Sequence, residues 1–76
     1  MSKSEQLIEY ITRDVIEYYI LDEKTEMKDA MSLFYNSGVF AKLSDIETGL
    51  YLNSSAFIYD MFCDELSHGV IIQNEI

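Results

Sequence analysis

A single cysteine, Cys63, and a single histidine, His68, are all that this 76-residue chain offers for a disulfide or a Cys/His metal site. An internal disulfide is therefore excluded, and no Cys/His cluster with the spacing of zinc ligands is present. A domain of this length buries only about 60% of the surface of its unfolded chain, so its stability is marginal without such staples. We therefore expect the core to close by tight helix packing or by self-association.

The first part of the chain has the periodicity of an amphipathic helix. Apolar residues at steps of three and four predict a helix from Ser4 to Leu21, with Ser2 or Ser4 as its cap and Glu5 near its positive end. The predicted buried stripe consists of Leu7, Ile8, Ile11, Val15, Tyr18 and Tyr19.

Two isoleucines of this helix point away from the stripe. Ile16 and Ile20 lie four residues apart on the side that also carries Glu9 and Arg13. They either reach a second element of the same chain or mark an interface with another molecule.

The second helix should follow a charged connector at Asp22–Lys24. Thr25 is its predicted N-cap, and Asn36–Gly38 is its predicted stop signal, since asparagine and glycine tolerate the left-handed conformation. Its predicted apolar stripe consists of Met27, Ala30, Met31, Leu33 and Phe34.

The second half of the chain predicts one short and one longer helical segment. Val39–Leu43 is the short segment, and the turn at Asp45–Gly49 places Gly49 at a positive φ. Ser54 or Ser55 caps the last main helix, which ends at His68 and Gly69. The apolar residues on its shared face are Phe57, Ile58, Met61 and Phe62.

The predicted fold is all-α, a small bundle of three main helices with one short helical segment. Residues 1–69 form a single helical domain, and residues 70–76 form an extended C-terminal tail because Val70, Ile71 and Ile72 are consecutive β-branched residues. The predicted core consists of Leu7, Ile11, Val15, Tyr18, Met31, Phe34, Phe40, Leu43, Leu50, Ile58, Met61 and Phe62.

The charge of the chain limits its partners. Fourteen acids against five Lys and Arg give a formal net charge of −9, which repels nucleic-acid phosphates and favours a basic protein partner. The sequence has no apolar run of signal-peptide or membrane-spanning length, so we expect no membrane association and a cytoplasmic location.

No residue pattern predicts catalysis or a cofactor. His68 is expected to cap a helix end, and Cys63 to be a partly buried small apolar residue with neighbouring acids that disfavour the thiolate. Adjacent acids on a helix point about 100° apart and so share no proton site. The acids before Gly49 lack the ligand pattern of a calcium loop. We therefore expect no enzyme activity, no metal and no cofactor.

Some apolar and aromatic residues remain as candidates for an interface, because tyrosines at the border of an apolar stripe serve either as core rim or as binding anchors. The candidates are Ile16, Ile20, Tyr10, Tyr19, Val70, Ile71 and Ile72.

About half of the chain, from Asp29 to Leu66, shares a pattern with a known family. The matching residues are Ala30, Leu33, Phe34, Lys42, Leu43, Glu47 to Tyr51, Ser54, Ser55, Tyr59, Glu65 and Leu66. In these residues the chain resembles a family of short bacterial proteins of unknown function, some of them encoded beside ADP-ribosyltransferase-like proteins. The resemblance implies a small helical partner or antitoxin-like protein and supplies no catalytic residues. Val39–Ala41 and the tail depart from the family pattern.

Together these features predict a non-enzymatic, self-associating cytoplasmic interaction module that binds a more basic protein by its acidic surface. Its sharpest form is antitoxin-like, and a homodimer is one arrangement of it. The alternative is a nucleic-acid mimic, in which carboxylates stand in for phosphates and block a DNA- or RNA-binding protein.

Overall fold

The computed structural model describes the backbone of residues 2–69 and the side chains of residues 2–67. Within this part of the chain there are four α-helices and no strand, which confirms the predicted all-α class. The helices are α1 (Lys3–Glu23), α2 (Met27–Tyr35), α3 (Gly38–Ser44) and α4 (Ser55–Asp64). The predicted tail, residues 70–76, lies outside the described residues.

Local backbone geometry defines both ends of α1. The Glu5 N–H donates to Ser2 Oγ at 3.2 Å, and the Ser2 N–H donates to Glu5 Oε1 at 3.3 Å. This reciprocal capping box satisfies two amides that the helix itself leaves without an acceptor. At the other end Lys24 adopts the left-handed conformation, with φ 55° and ψ 40°. The chain thus reverses sharply after α1 and enters α2 within three residues.

The predicted cap of α2 is wrong. Glu26 is the N-cap residue, and its side chain makes no capping hydrogen bond. The Thr25 hydroxyl is instead buried without a hydrogen-bond partner in the described structure. Because the left-handed Lys24 turns the connector abruptly, Thr25 faces inward and its hydroxyl does not reach the first turn of α2.

The joint between α2 and α3 both ends one helix and starts the next. Ser37 Oγ donates to the Phe34 carbonyl at 2.6 Å and accepts from the Phe40 N–H at 3.1 Å. Gly38, predicted as part of a stop signal, is the first residue of α3, and its φ is not positive. The chain therefore continues as the short helical segment that the sequence predicts, after a bend at Ser37.

A tight turn with two 3₁₀ segments, Ile46–Thr48 and Leu50–Leu52, connects α3 to α4. Gly49 lies between them with φ 71°, as predicted. The Thr48 hydroxyl donates to the Lys42 carbonyl at 2.7 Å, which ties the turn to the last residues of α3. Since a side chain with a Cβ rarely adopts this φ, glycine is the residue that the turn requires.

One of the two predicted capping serines starts α4. Ser54 Oγ accepts from the Phe57 N–H at 3.2 Å. The helical backbone continues beyond α4 as a π-helical turn, Glu65–Gly69. Ile58 and Phe62 are fully buried, but Phe57 is about half exposed, so its predicted place on the buried face is wrong.

The core lies where the four helices meet, and its centre is aromatic. The Phe34 ring packs edge-to-face against Phe62, with ring centroids 5.0 Å apart, and against Phe40 at 5.4 Å. Phe34 therefore joins α2, α3 and α4 by direct contact. The buried apolar residues are Ile11, Val15, Ile16, Ala30, Phe34, Val39, Leu43, Ile58 and Phe62.

The buried face of α1 differs from the predicted stripe. Ile16 is 7% exposed, whereas Tyr18, predicted in the core, is 38% exposed. The reason is that α1 packs against both α4 and α2, and the contact with α2 brings Thr12 and Ile16 into the interior. The Thr12 hydroxyl donates to the Ile8 carbonyl at 2.7 Å, which lets this polar side chain be buried at little cost.

Candidate interaction surface

A groove runs between α1 and α2. We call it the α1–α2 groove; its volume is about 310 Å³, and its lining residues are Glu9, Thr12, Arg13, Ile16, Glu17, Ile20, Met27, Met31 and Tyr35. The apolar floor is formed by Ile16 and Ile20 from α1 and by Met27, Met31 and Tyr35 from α2. The groove therefore lies where α1 and α2 pack together, and it opens to solvent along one side.

The spacing of the α2 residues explains why the groove is continuous. Met27, Met31 and Tyr35 follow one another at four-residue steps, so they lie on one face of α2. Met27 is 62% exposed and Tyr35 is exposed as well, although the predicted stripe of this helix assigned Met27 to its buried face. These two side chains present apolar surface to solvent on the side of the groove that α2 provides.

A shallower hollow extends the apolar surface toward α3. It shares Glu9, Thr12 and Tyr35 with the groove and continues to Ile8 and Phe40. The strip along α1 from Ile8 to Ile20 covers twelve residues of rise, or about 18 Å. A surface of this length can accommodate about three turns of a helix.

Charged side chains lie along the α1 edge of the groove. Glu9, Arg13 and Glu17 recur at four-residue steps, so successive charges on this face alternate in sign and lie roughly one turn apart. Two carboxylates thus flank one guanidinium beside the apolar floor. This edge matches a partner that carries two cations about 12 Å apart, the rise of eight helical residues.

The structure brings together two of the predicted interface residues and separates the others. Ile16 and Ile20 both line the α1–α2 groove, and both also pack within their own chain, Ile16 as a buried core residue and Ile20 as a partly buried one, which is the first of the two alternatives for these residues. Tyr19 packs edge-to-face against Phe62 at 5.5 Å, on the inner side of α1. The candidates Val70, Ile71 and Ile72 lie outside the described residues.

Tyr10, the remaining candidate, belongs to a second hollow on the other flank of α1. This hollow lies between α1 and the turn before α4, and Tyr10, Tyr18, Tyr51 and Leu52 are among its lining residues. Leu52 is 72% exposed. Tyr10 therefore lies on a different surface of the molecule from Ile16 and Ile20.

Sequence reasoning missed the contribution of α2 to the groove. The four-residue spacing of Met27, Met31 and Tyr35 was the available signal, but it also fits a helix that buries these residues. The two possibilities differ only in which face of α2 meets α1. Ala30 and Phe34 occupy that buried face, and the methionines and Tyr35 are displaced to its border.

Two hydroxyl–carboxylate hydrogen bonds hold α4 against α1. Ser55 Oγ donates to Asp14 Oδ2 at 2.7 Å, and the Tyr59 hydroxyl donates to Asp22 Oδ2 at 2.6 Å. Both bonds join residues far apart in sequence, and each has an ionised acceptor, which makes such bonds shorter and stronger than neutral ones.

Two tyrosine hydroxyls titrate above their ordinary range. The pKa of Tyr59 is raised well above its usual value near 10, chiefly by burial, then by the hydrogen bond to Asp22 and by the neighbouring Cys63. The pKa of Tyr19 is also raised, by burial first and then by the charges of Glu23 and Cys63. Both tyrosines therefore stay neutral at physiological pH; the Tyr59 hydroxyl donates to Asp22, and the Tyr19 ring packs against Phe62.

The carboxylate of Glu65, which follows the last residue of α4, caps the first turn of α3. Glu65 Oε2 accepts from the Gly38 N–H at 2.8 Å, and Glu65 Oε1 accepts from the Val39 N–H at 2.9 Å. With Phe40 bonded to Ser37, three first-turn amides of α3 have side-chain acceptors. Glu65 thus has a structural role that connects the π-helical turn to α3.

Cys63 and His68 are two residues for which the sequence predicts a structural role only. Cys63 is a free, partly buried thiol on α4. The side chain of His68 lies outside the described part of the structure. Among the described residues, no group of three Cys, His, Asp or Glu side chains converges as a metal site would require.

Comparison of the chain with protein-family models, with curated proteins and with solved structures gives no match. The resemblance to a bacterial family therefore stays a prediction. None of the helices in residues 2–69 combines the length and the apolar character that crossing a bilayer demands.

Proposed function

We propose that this chain is a non-enzymatic interaction module that binds a more basic protein. The observation that carries the proposal is the α1–α2 groove, an apolar surface edged by Glu9 and Glu17 on a chain with a formal net charge of −9. Apolar contact area supplies affinity, and the negative field of the chain steers a positively charged partner toward it.

The charge also bears on self-association. Two copies of the chain each carry a net charge of −9, so their mutual repulsion opposes a homodimer, whereas a basic partner is attracted by the same field. We therefore place a basic heterologous partner ahead of a second copy.

The sharpest form of this function is antitoxin-like neutralisation of a basic partner. The acidic surface and the resemblance to small bacterial accessory proteins support it. In this form, co-expression of the chain relieves growth inhibition by the partner, and a groove variant that has lost binding does not.

Affinity purification with the tagged chain, repeated with the tag on the captured protein, tests the proposal. We expect a partner of basic isoelectric point that is released as salt rises, because screening weakens the attraction between opposite charges. An acidic partner, or capture that salt leaves unchanged, would contradict the proposal. A partner that binds nucleic acid, and for which nucleic acid competes with this chain, would identify the interaction as mimicry.

A further inference from the structure

The α1–α2 groove has a shape that suits one mode of peptide binding better than the others. Addition of an extended peptide to a sheet edge needs a strand, and residues 2–69 contain none. A helix binds by laying apolar residues into a groove between two helices, which is the geometry of α1 and α2. The apolar strip from Ile8 to Ile20 has the length of about three helical turns.

The floor of the groove is suited to an apolar helix face. Met27 and Met31 have flexible, polarisable side chains that adapt to the shape of a ligand, and Tyr35 supplies a rigid aromatic surface beside them. Ile16 and Ile20 contribute the α1 side of the floor.

We infer, on the basis of the proposed function, that the α1–α2 groove binds an amphipathic basic helix of the partner protein. The apolar residues of that helix, spaced at three- and four-residue steps, lie on the floor of the groove. Its Lys or Arg residues, seven to eight positions apart, face Glu9 and Glu17, and a neutral or acidic residue between them faces Arg13.

Two other occupants fit the charges of the groove less well. A second copy of the chain brings another net charge of −9. The segment of residues 70–76 is apolar in Val70, Ile71 and Ile72, but its one charged side chain is the acid Glu75. The segment has no cation for Glu9 and Glu17, and the five Lys and Arg of a second copy come with fourteen acids.

The probe is a fluorescently labelled synthetic peptide with leucines at the a and d positions of a heptad. It has lysines seven to eight positions apart to face Glu9 and Glu17, and glutamine between them to face Arg13. A second peptide has the same composition in a scrambled order that forms no apolar face. Fluorescence anisotropy measures both against the full chain at about 50 and about 300 mM salt. We expect the amphipathic peptide to bind at least about tenfold more tightly than the scrambled one.

Matched double variants locate the binding site. Met27→Ala with Tyr35→Ala removes two exposed side chains of the groove, and Tyr10→Ala with Leu52→Ala removes two exposed side chains of the opposite hollow. Neither pair changes the charge or removes a buried core residue; Tyr35→Ala does remove a ring contact with Phe40 at 5.0 Å, so circular dichroism first establishes that both variants are folded. We expect the groove pair to weaken binding of the amphipathic peptide at least about tenfold and the other pair to change it by less than about twofold.

Several outcomes would overturn the inference. Equal binding of the two peptides would mean that the acidic surface binds basic chains without the groove, so the proposed function would stand and the inference would fall. Equal losses for the two double variants would also refute it. Binding of both peptides that salt does not weaken would count against the proposed function itself.

The other occupants give distinct results in the same assay. If a second copy occupies the groove, light scattering gives a dimer that becomes a monomer in the Met27→Ala, Tyr35→Ala variant. If residues 70–76 occupy it, the full chain with Val70→Ser, Ile71→Ser and Ile72→Ser binds the peptide more tightly than the parent. Either result would replace the partner helix as the occupant.

Discussion

The contact between Glu65 and the start of α3 allows a quantitative test of the fold. In Glu65→Ala, the Gly38 and Val39 amides lose a charged acceptor at 2.8 and 2.9 Å. A hydrogen bond to a charged group contributes about 1.5–3 kcal/mol, and a carboxylate at a helix N-terminus adds about 0.3–1 kcal/mol. The Gly38 bond is exposed, so water replaces much of it, whereas the Val39 bond is partly buried.

These contributions predict that Glu65→Ala lowers the free energy of unfolding by about 2–3 kcal/mol. A domain of 76 residues has a total stability of roughly 4–11 kcal/mol, so the loss is a large fraction of it. For a chain of this size the expected fall in melting temperature is roughly 10–20 °C. Glu65→Gln keeps one neutral acceptor and should lose about half as much free energy.

Urea unfolding followed by far-UV circular dichroism measures the loss directly. The matched control is Glu17→Ala, which removes the same charge from an exposed position in the middle of α1. We expect the control to change stability by less than about 0.5 kcal/mol. If the two variants were equally stable, the contact between Glu65 and α3 would contribute nothing measurable, and the reasoning would be refuted.

Other features of the structure give further predictions. Gly49→Ala places a Cβ at φ 71° and should lower the free energy of unfolding by about 1–2 kcal/mol. In Gly38→Ala the new Cβ would lie 3.4 Å from the Glu65 carboxylate, which is ordinary contact. This variant should leave the free energy of unfolding unchanged or raise it by up to about 1 kcal/mol. Urea titrations of the two variants decide this, and equal losses would contradict the assignment of the turn. Because the folded-state pKa of Tyr59 is raised, its stabilising contribution is complete below the unfolded-state value near pH 10 and is lost as the pH rises above it. Melting temperatures measured from neutral pH to above pH 10 should therefore fall less steeply for Tyr59→Phe than for the parent, and parallel curves would refute this. Phe62→Ala removes a fully buried ring and should lower the free energy of unfolding by about 3–5 kcal/mol. Phe57→Ala removes a half-exposed ring and should lower it far less. Similar urea midpoints for the two variants would contradict the assignment of Phe62 to the core.

Local signals in the sequence were sufficient for most of the secondary structure. Gly49 has the predicted positive φ, Ser54 caps α4, and the short segment after Gly38 is helical. Each of these features depends on a few adjacent residues, because a capping hydroxyl or a glycine turn acts within one helical turn of its own position.

The errors arise where a second element decides the outcome. Thr25 has the chemistry of a cap, but the reversal at Lys24 turns its hydroxyl inward. Tyr18 fits the period of α1 but is 38% exposed beside Tyr59, whereas Ile16, off that stripe, is buried where α2 packs against α1. Periodicity shows that a helix has an apolar face and does not show how many neighbours will cover that face.

The long-range contacts of the fold could not be predicted either. Glu65 meets Gly38 across 27 positions, and no local pattern identifies such a pair. The groove could be predicted only in part: Ile16 and Ile20 stood out because they lay off the main stripe, whereas Met27 and Tyr35 did not. An open groove is a property of two helices together, so neither helix pattern contains it.

The left-handed conformation of Lys24 identifies a position at which a substitution should stabilise the folded protein. A residue with a Cβ is held there in a conformation that glycine adopts without strain, at the position after a helix where glycine is most common. Lys24→Gly should therefore raise the free energy of unfolding by up to about 1 kcal/mol, as thermal melts of the two proteins would show. In this stabilised background, strongly destabilising core variants would stay folded and could be purified and compared.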